Sequence, residues 1–270
     1  MKLWKKTLTA AAVLMSTTMA QADIVDFDII IDFTGGLSAS QQEVFQQAEN
    51  YWEDILVGYA DTISFSPTLT IAASGEDIDG QSGILGQAGP TNALYNTDSS
   101  SDTAGLLYAV EGTMRFDTAD LDYMESNDTL YAVIVHEMAH VIGFGTLWTY
   151  NDLYTDGSGE YVGAYALAQY QEEFDANATY VPVEQDGGAG TEDAHWDESW
   201  AGGSSDLMTG YLEGITTLSA TTLASFQDLG YAVSSLVSGD SDAEDIISDV
   251  PAPLFGLAGL IMLGLARRRS

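Results

Sequence analysis

The stretch AVIVHEMAHVIGFGTLW, residues 132–148, places two histidines four apart with a glutamate directly after the first. Residues four apart lie on one face of an α-helix, so His136 and His140 can reach a single metal ion. The flanking residues are apolar, and the expected helix runs from about Thr129 to Ile142, with Gly143 as its stop. An unliganded charged trio in such a helix would be costly to bury. Neutral imidazole nitrogens suit zinc. Glu137 need not bind the metal. It can take a proton from an activated water and later return it to a leaving amine.

A catalytic zinc takes three protein ligands and keeps one position open. Thr146 stands where a short H-E-x-x-H-x-x-G-x-x-H run would carry its last histidine. The chain has three histidines, and the remaining one is His195, in GTEDAHWDESW. Either His195 serves after a long insertion, or a carboxylate does.

The run His136-Glu137-Met138-Ala139-His140-Val141-Ile142-Gly143-Phe144-Gly145 is followed by Ala194-His195-Trp196 and then Asp206-Leu207-Met208-Thr209. In this order and content the chain resembles the leishmanolysin family of metzincins, over most of residues 24–233. The resemblance implies His136, His140 and His195 as zinc ligands, Glu137 as general base and Met208 as the Met-turn methionine beneath the metal. It implies an α+β, metzincin-like zincin fold. A twisted mixed sheet and the active-site helix would form an N-terminal lobe. A coil-rich C-terminal lobe would carry the Met-turn and a final helix. It implies a zinc metalloendopeptidase acting on protein or peptide, and makes GTMRFD (112–117) the edge strand that pairs with substrate. Known eukaryotic members of that family are disulfide-rich and kept latent by a pro-segment cysteine. This chain has no cysteine, so no such latency is expected.

Two other readings of the same residues are a catalytically weak metzincin-fold protein of the cell surface or extracellular matrix, and a zinc hydrolase of a non-peptide bond. Tyr211, three residues after Met208, is a candidate oxyanion stabiliser, with an ordinary packed tyrosine as the plainer reading. Asp197 and Glu198 read as solvated carboxylates rather than as groups that orient a histidine. The acidic loops at Asp152, Asp156 and Glu160 offer oxygen ligands for calcium, without an EF-hand loop.

Outward from the motif, DIVDFDIIIDF (23–33) and TLTIAAS (68–74) read as strands, and SASQQEVFQQAENYWEDIL (38–56) as a helix with a Ser40/Glu43 capping box. DIDGQSGILGQAGPTN (77–92) is too rich in turn residues for one regular element. EGTMRFDTADL (111–121) reads as a short strand and turn. ALAQYQEEF (166–174) and TTLSATTLASFQDLGYAV (216–233) read as helices, the last stopped by Gly230.

Of seven basic residues, only Arg115 lies between the two ends, together with all 41 acidic ones, so the middle of the chain carries 1 − 41 = −40. Such a surface repels nucleic acid and suits a saline medium. Residues 1–22 read as a signal peptide, basic then apolar, with small Ala20 and Ala22 before a mature start at Asp23. The expected peptidase domain spans 23–236, and 237–249 reads as an acidic linker. Residues 250–270 combine Val250-Pro251-Ala252-Pro253, an apolar run and Arg267–Arg269. They resemble the PEP-CTERM sorting signals of Gram-negative bacteria. That resemblance implies transient passage through the inner membrane, processing by an exosortase, and a secreted or surface-attached product; a plain C-terminal membrane anchor is the alternative reading.

Overall fold

The run DIIIDFTG begins with alternating exposed and buried residues and forms strand β1 (Asp28–Gly35). A computed structural model describes residues 25–188, 190–211 and 216–234. The signal-peptide, linker and sorting-signal readings fall outside the described residues.

Helix α1 (Ala39–Ile55) follows β1. Its capping box lies two residues earlier than the Ser40/Glu43 expectation. The Ser38 side chain accepts from Gln41 N at 3.2 Å, and the Gln41 side chain accepts from Ser38 N at 2.9 Å. Ser38 has the extended backbone that a cap needs, whereas Ser40 is already helical. Strand β2 (Leu56–Tyr59) leaves the helix directly.

Strands β3 (Thr68–Glu76), β4 (Gly86–Tyr95) and β5 (Leu107–Asp117) join β1 in a sheet of order β1-β3-β5-β4. The first two pairings are parallel and β4–β5 is antiparallel. Three expectations fall here. The turn-rich stretch contains the first seven residues, 86–92, of a ten-residue strand, β4. Its Pro90 is tolerated because β4 is an edge strand and its register slips between Pro90 and Asn92. Consequently GTMRFD is not an edge: β5 is interior, between β3 and β4. The turn expected after it is instead helix α2 (Thr118–Ser126), capped by Asp117, whose side chain accepts from Ala119 N.

Helix α3 (Leu130–Ile142) carries His136 and His140, and every residue except Tyr131 is buried. Its many β-branched residues are mediocre helix formers, so burial rather than propensity holds it. The Trp52 indole of α1 donates to Val135 O at 3.0 Å. On β5, a Cβ built at Gly112 would lie 2.2 Å from Val141 Cγ1, so only glycine lets α3 sit this close to the sheet.

Beyond α3 the elements are short. Strands β6 (Glu160–Tyr161) and β7 (Val181–Pro182) pair, with helix α4 (Ala164–Glu173) between them. Helix α5 (Ala220–Asp228) starts later than expected, because Ser219 caps it and accepts from Thr222 N at 3.0 Å. Strand β8 (Tyr231–Val233) then pairs antiparallel with β2. The result is an α+β fold: a mixed sheet with α1 and α3 against it, and a loop-rich second half. Trp196 centres the core of that half, 5.1 Å from the rings of both Phe144 and Trp148.

Candidate metal centre

The structure brings His136, His140 and His195 together, all fully buried. Their Nε2 atoms form a triangle with sides of 3.2, 3.1 and 3.0 Å. Each Nδ1 is taken by a backbone carbonyl: Leu207 O at 2.6 Å for His136, Phe144 O at 3.0 Å for His140 and Thr191 O at 2.9 Å for His195. Because carbonyls only accept, each Nδ1 must carry the proton. Each Nε2 therefore presents a lone pair, and the three face one another with no donor among them. A cation resolves that repulsion. Tetrahedral ligation with Zn–N of ~2.05 Å sets nitrogens ~3.3 Å apart, close to the observed triangle. Among the described residues this is the only group of three or more His, Cys, Asp or Glu side chains able to converge on a metal ion.

Two glycines bring the third histidine in. Gly143 caps α3 at φ +140°, and its N–H bonds back to Ala139 O. Gly145, at φ +70°, lies against Ala194, where a Cβ would sit 2.4 Å from the carbonyl oxygen. The residue next to His195 is then locked. Trp196 N donates to Met208 O at 3.0 Å, and the indole is wholly buried. Gly145→Ala should cost about 2–4 kcal/mol, from the left-handed backbone plus the clash with Ala194. Gly105→Ala is the control: φ is +91° but nothing lies within 4 Å of its Cβ site, so about 1–2 kcal/mol is expected. Equal losses in urea unfolding would show that the Ala194 contact contributes nothing.

Burial, reinforced by His195, depresses His136 to about 3. Burial likewise lowers His195 to about 4 and His140 well below its usual value. All three are therefore neutral ligands across the physiological range. Since the folded values lie below the unfolded 6.5, each histidine's contribution to stability is complete above pH 6.5 and is lost as pH falls toward the folded values. Histidine nitrogen shifts of the metal-free protein should accordingly show no imidazolium at pH 5.5. Titration near 6.5 would contradict the buried triangle.

Glu137 is 1% exposed, and burial raises its carboxyl to about 8. Its Oε1 has no hydrogen-bond partner. Gly86, which opens β4, lies beside this oxygen: a Cβ there would be 3.3 Å from Oε1 and 3.1 Å from the Phe116 ring. The carboxyl is thus next to the edge strand, with one oxygen free.

Met208 is fully buried, and its neighbour Leu207 makes the contact to His136. The Tyr211 hydroxyl lies beside Gly187, 3.0 Å from where its Cβ would be, in the loop leading to His195. The Nδ1 partner of His195 is Thr191 O, so neither Asp197 nor Glu198 orients the ring. Asp197 instead accepts from Ser199. Glu198 is not simply solvated: burial and a hydrogen bond to Glu184 push it up to about 8. Asp152, Asp156 and Glu160 do not converge with other acidic groups into a metal-binding cluster among the described residues. The carbonyl partners of the rings, the role of Gly145 and the position of Gly86 were not foreseen. The one available signal was the Phe144-Gly145 pair after the motif.

Residues 105–238 match the leishmanolysin family model of M8 peptidases. The matched stretch takes in β5, α3, the insertion, His195 and α5. A leishmanolysin homolog from Crithidia fasciculata is 30% identical over 113 residues. That alignment covers 36% of this chain and 16% of the relative, so the chain spans only a small part of that protein's length.

Proposed function

We propose that the chain is a leishmanolysin-type zinc metalloendopeptidase. The observation that carries this reading is the buried triangle of three Nε2 lone pairs beside a glutamate with a free oxygen. His136, His140 and His195 would hold the ion. Bound zinc supplies acidified water and a polarised carbonyl. Glu137 takes the proton of the attacking water and passes it to the amine nitrogen as the peptide bond breaks. Its buried setting lets it hold that proton between the two steps. An extended peptide would lie along β4, the edge strand whose first residue adjoins Glu137. Tyr211 is carried as a candidate oxyanion donor and Met208 as the methionine of the turn. Calcium has no assigned place in this reading.

The ends of the chain add an address. We read residues 1–22 as an export signal and 250–270 as a sorting signal for exosortase processing, with the acidic domain delivered outside a Gram-negative cell. No helix among the described residues is long and apolar enough to cross a membrane.

The test is the zinc content of the purified chain together with cleavage of an unstructured protein. One zinc per chain and cleavage abolished by a chelator are expected. One zinc without cleavage would overturn the peptidase reading in favour of a surface protein or a hydrolase of another bond. No zinc would overturn the metal centre itself.

A further inference from the structure

A buried polar chain connects the last helix to two of the three histidines. The Trp196 indole N–H donates to Thr222 Oγ1 at 2.8 Å. The Thr222 hydroxyl donates in turn to the Asp206 carboxylate, 3.0 Å from Oδ1 and 2.9 Å from Oδ2. Asp206 Oδ1 also accepts from Met208 N at 2.8 Å, and Oδ2 from Ser219 N at 3.1 Å. Trp196, Thr222 and Met208 are fully buried, and Asp206 is 2% exposed. At one end of this chain Trp196 is bonded covalently to His195. At the other, Asp206 precedes Leu207, whose carbonyl takes the proton of His136 Nδ1.

The circuit therefore closes: His136, Leu207, Asp206, Thr222, Trp196, His195. Of these groups only Thr222 belongs to a helix outside the histidine-bearing segments. A carboxylate in an apolar interior is retained only when its lone pairs are satisfied. Here three donors satisfy it, the Thr222 hydroxyl, Met208 N and Ser219 N, and two of them, from α5 and its cap, tie the turn before Met208 to that helix. A ligand's outer partners fix its orientation, and their loss weakens metal binding 10–100-fold.

We propose that Thr222 and Asp206 are positioning residues that set the spacing of His195 from His136, through Trp196 on one side and Leu207 on the other. This rests on the zinc-centre reading above. Thr222→Val keeps the shape and removes the hydroxyl. It leaves the indole N–H without an acceptor and Asp206 without one donor.

The experiment measures zinc affinity by chelator competition and the visible spectrum of the cobalt(II) form, for the full chain and its Thr222→Val and Thr222→Ser variants. Thr222→Val should bind zinc on the order of ten-fold more weakly and shift the cobalt bands, while Thr222→Ser, which keeps the hydroxyl, should restore both. Parental affinity and spectrum in Thr222→Val would overturn the proposal. So would a Thr222→Ser as impaired as Thr222→Val, because keeping the hydroxyl would then not protect the site. Should Thr222→Val fail to fold, Trp196→Phe removes the same indole donor from the other end, and parental zinc affinity in it would overturn the proposal. A parent that binds no zinc overturns the metal centre as well, which separates the two failures.

Discussion

Glu137→Ala should reduce peptide cleavage on the order of 10²–10⁴-fold while leaving one zinc per chain, the span expected of a lost general base. Glu137 donates no atom to the nitrogen triangle, so ligation survives its removal. The variant also deletes a buried carboxyl whose Oε1 has no partner, so it should not be destabilised by a lost hydrogen bond. Metal content and rate should thus separate cleanly. Cleavage within ten-fold of the parent would show that another group moves the proton. Loss of zinc would show that Glu137 is a ligand and that the triangle alone is insufficient.

His195→Ala should act in the opposite order, on the metal first. Zinc sites of four ligands bind with about 10–16 kcal/mol, so one ligand is worth ~3–4 kcal/mol, a 10²–10³-fold loss of affinity. The imidazole lies 3.2 and 3.0 Å from its two partners, and no described carboxylate completes a group with them. Nothing nearby replaces it. The residual pair on α3 should lose zinc to a chelator that the parent resists. Parental zinc affinity in His195→Ala would refute a three-histidine centre. The thermal stabilisation that zinc gives the parent should fall in step with the affinity, since it depends on ligand concentration over Kd.

How far the residues alone led can be seen element by element. The α3 helix was legible because its motif and its apolar flanks give the same answer, down to Gly143 as the stop. The approach of His195 was legible for a reason of scarcity: three histidines leave few ways to complete a site. Strand β4 was hidden because Gly86, Gly89 and Pro90 are the residues of turns. The backbone nonetheless extends there because β5 supplies the pairing and Glu137 needs the space beside Gly86. The rank of β5 within the sheet was not legible, since β5 becomes interior only once the turn-rich stretch just before it forms β4 and pairs with it. The Ser38 cap was missed in favour of Ser40 because both serines have a polar partner three residues on, and only backbone geometry separates them. The carbonyls of Leu207, Phe144 and Thr191 carry no sequence signal at all, as every residue has one.

The insertion between Thr146 and His195 is fastened at its base. Asp193 Oδ1 accepts from Tyr154 Oη at 2.5 Å, from Gly157 N at 2.9 Å and from Gln185 Nε2 at 3.1 Å. Val183 N bonds to Gly159 O, and β6 pairs with β7 just beyond. These clasps bring the two ends of the excursion together before its outer part begins. Lengthening that outer part then costs only the slow logarithmic growth of loop entropy, about 0.6 kcal/mol for each doubling. Residues 175–177, between Phe174, whose ring packs on Trp200, and Ala178, which packs against the core, are therefore a place where the chain can gain or exchange sequence without moving the three nitrogens.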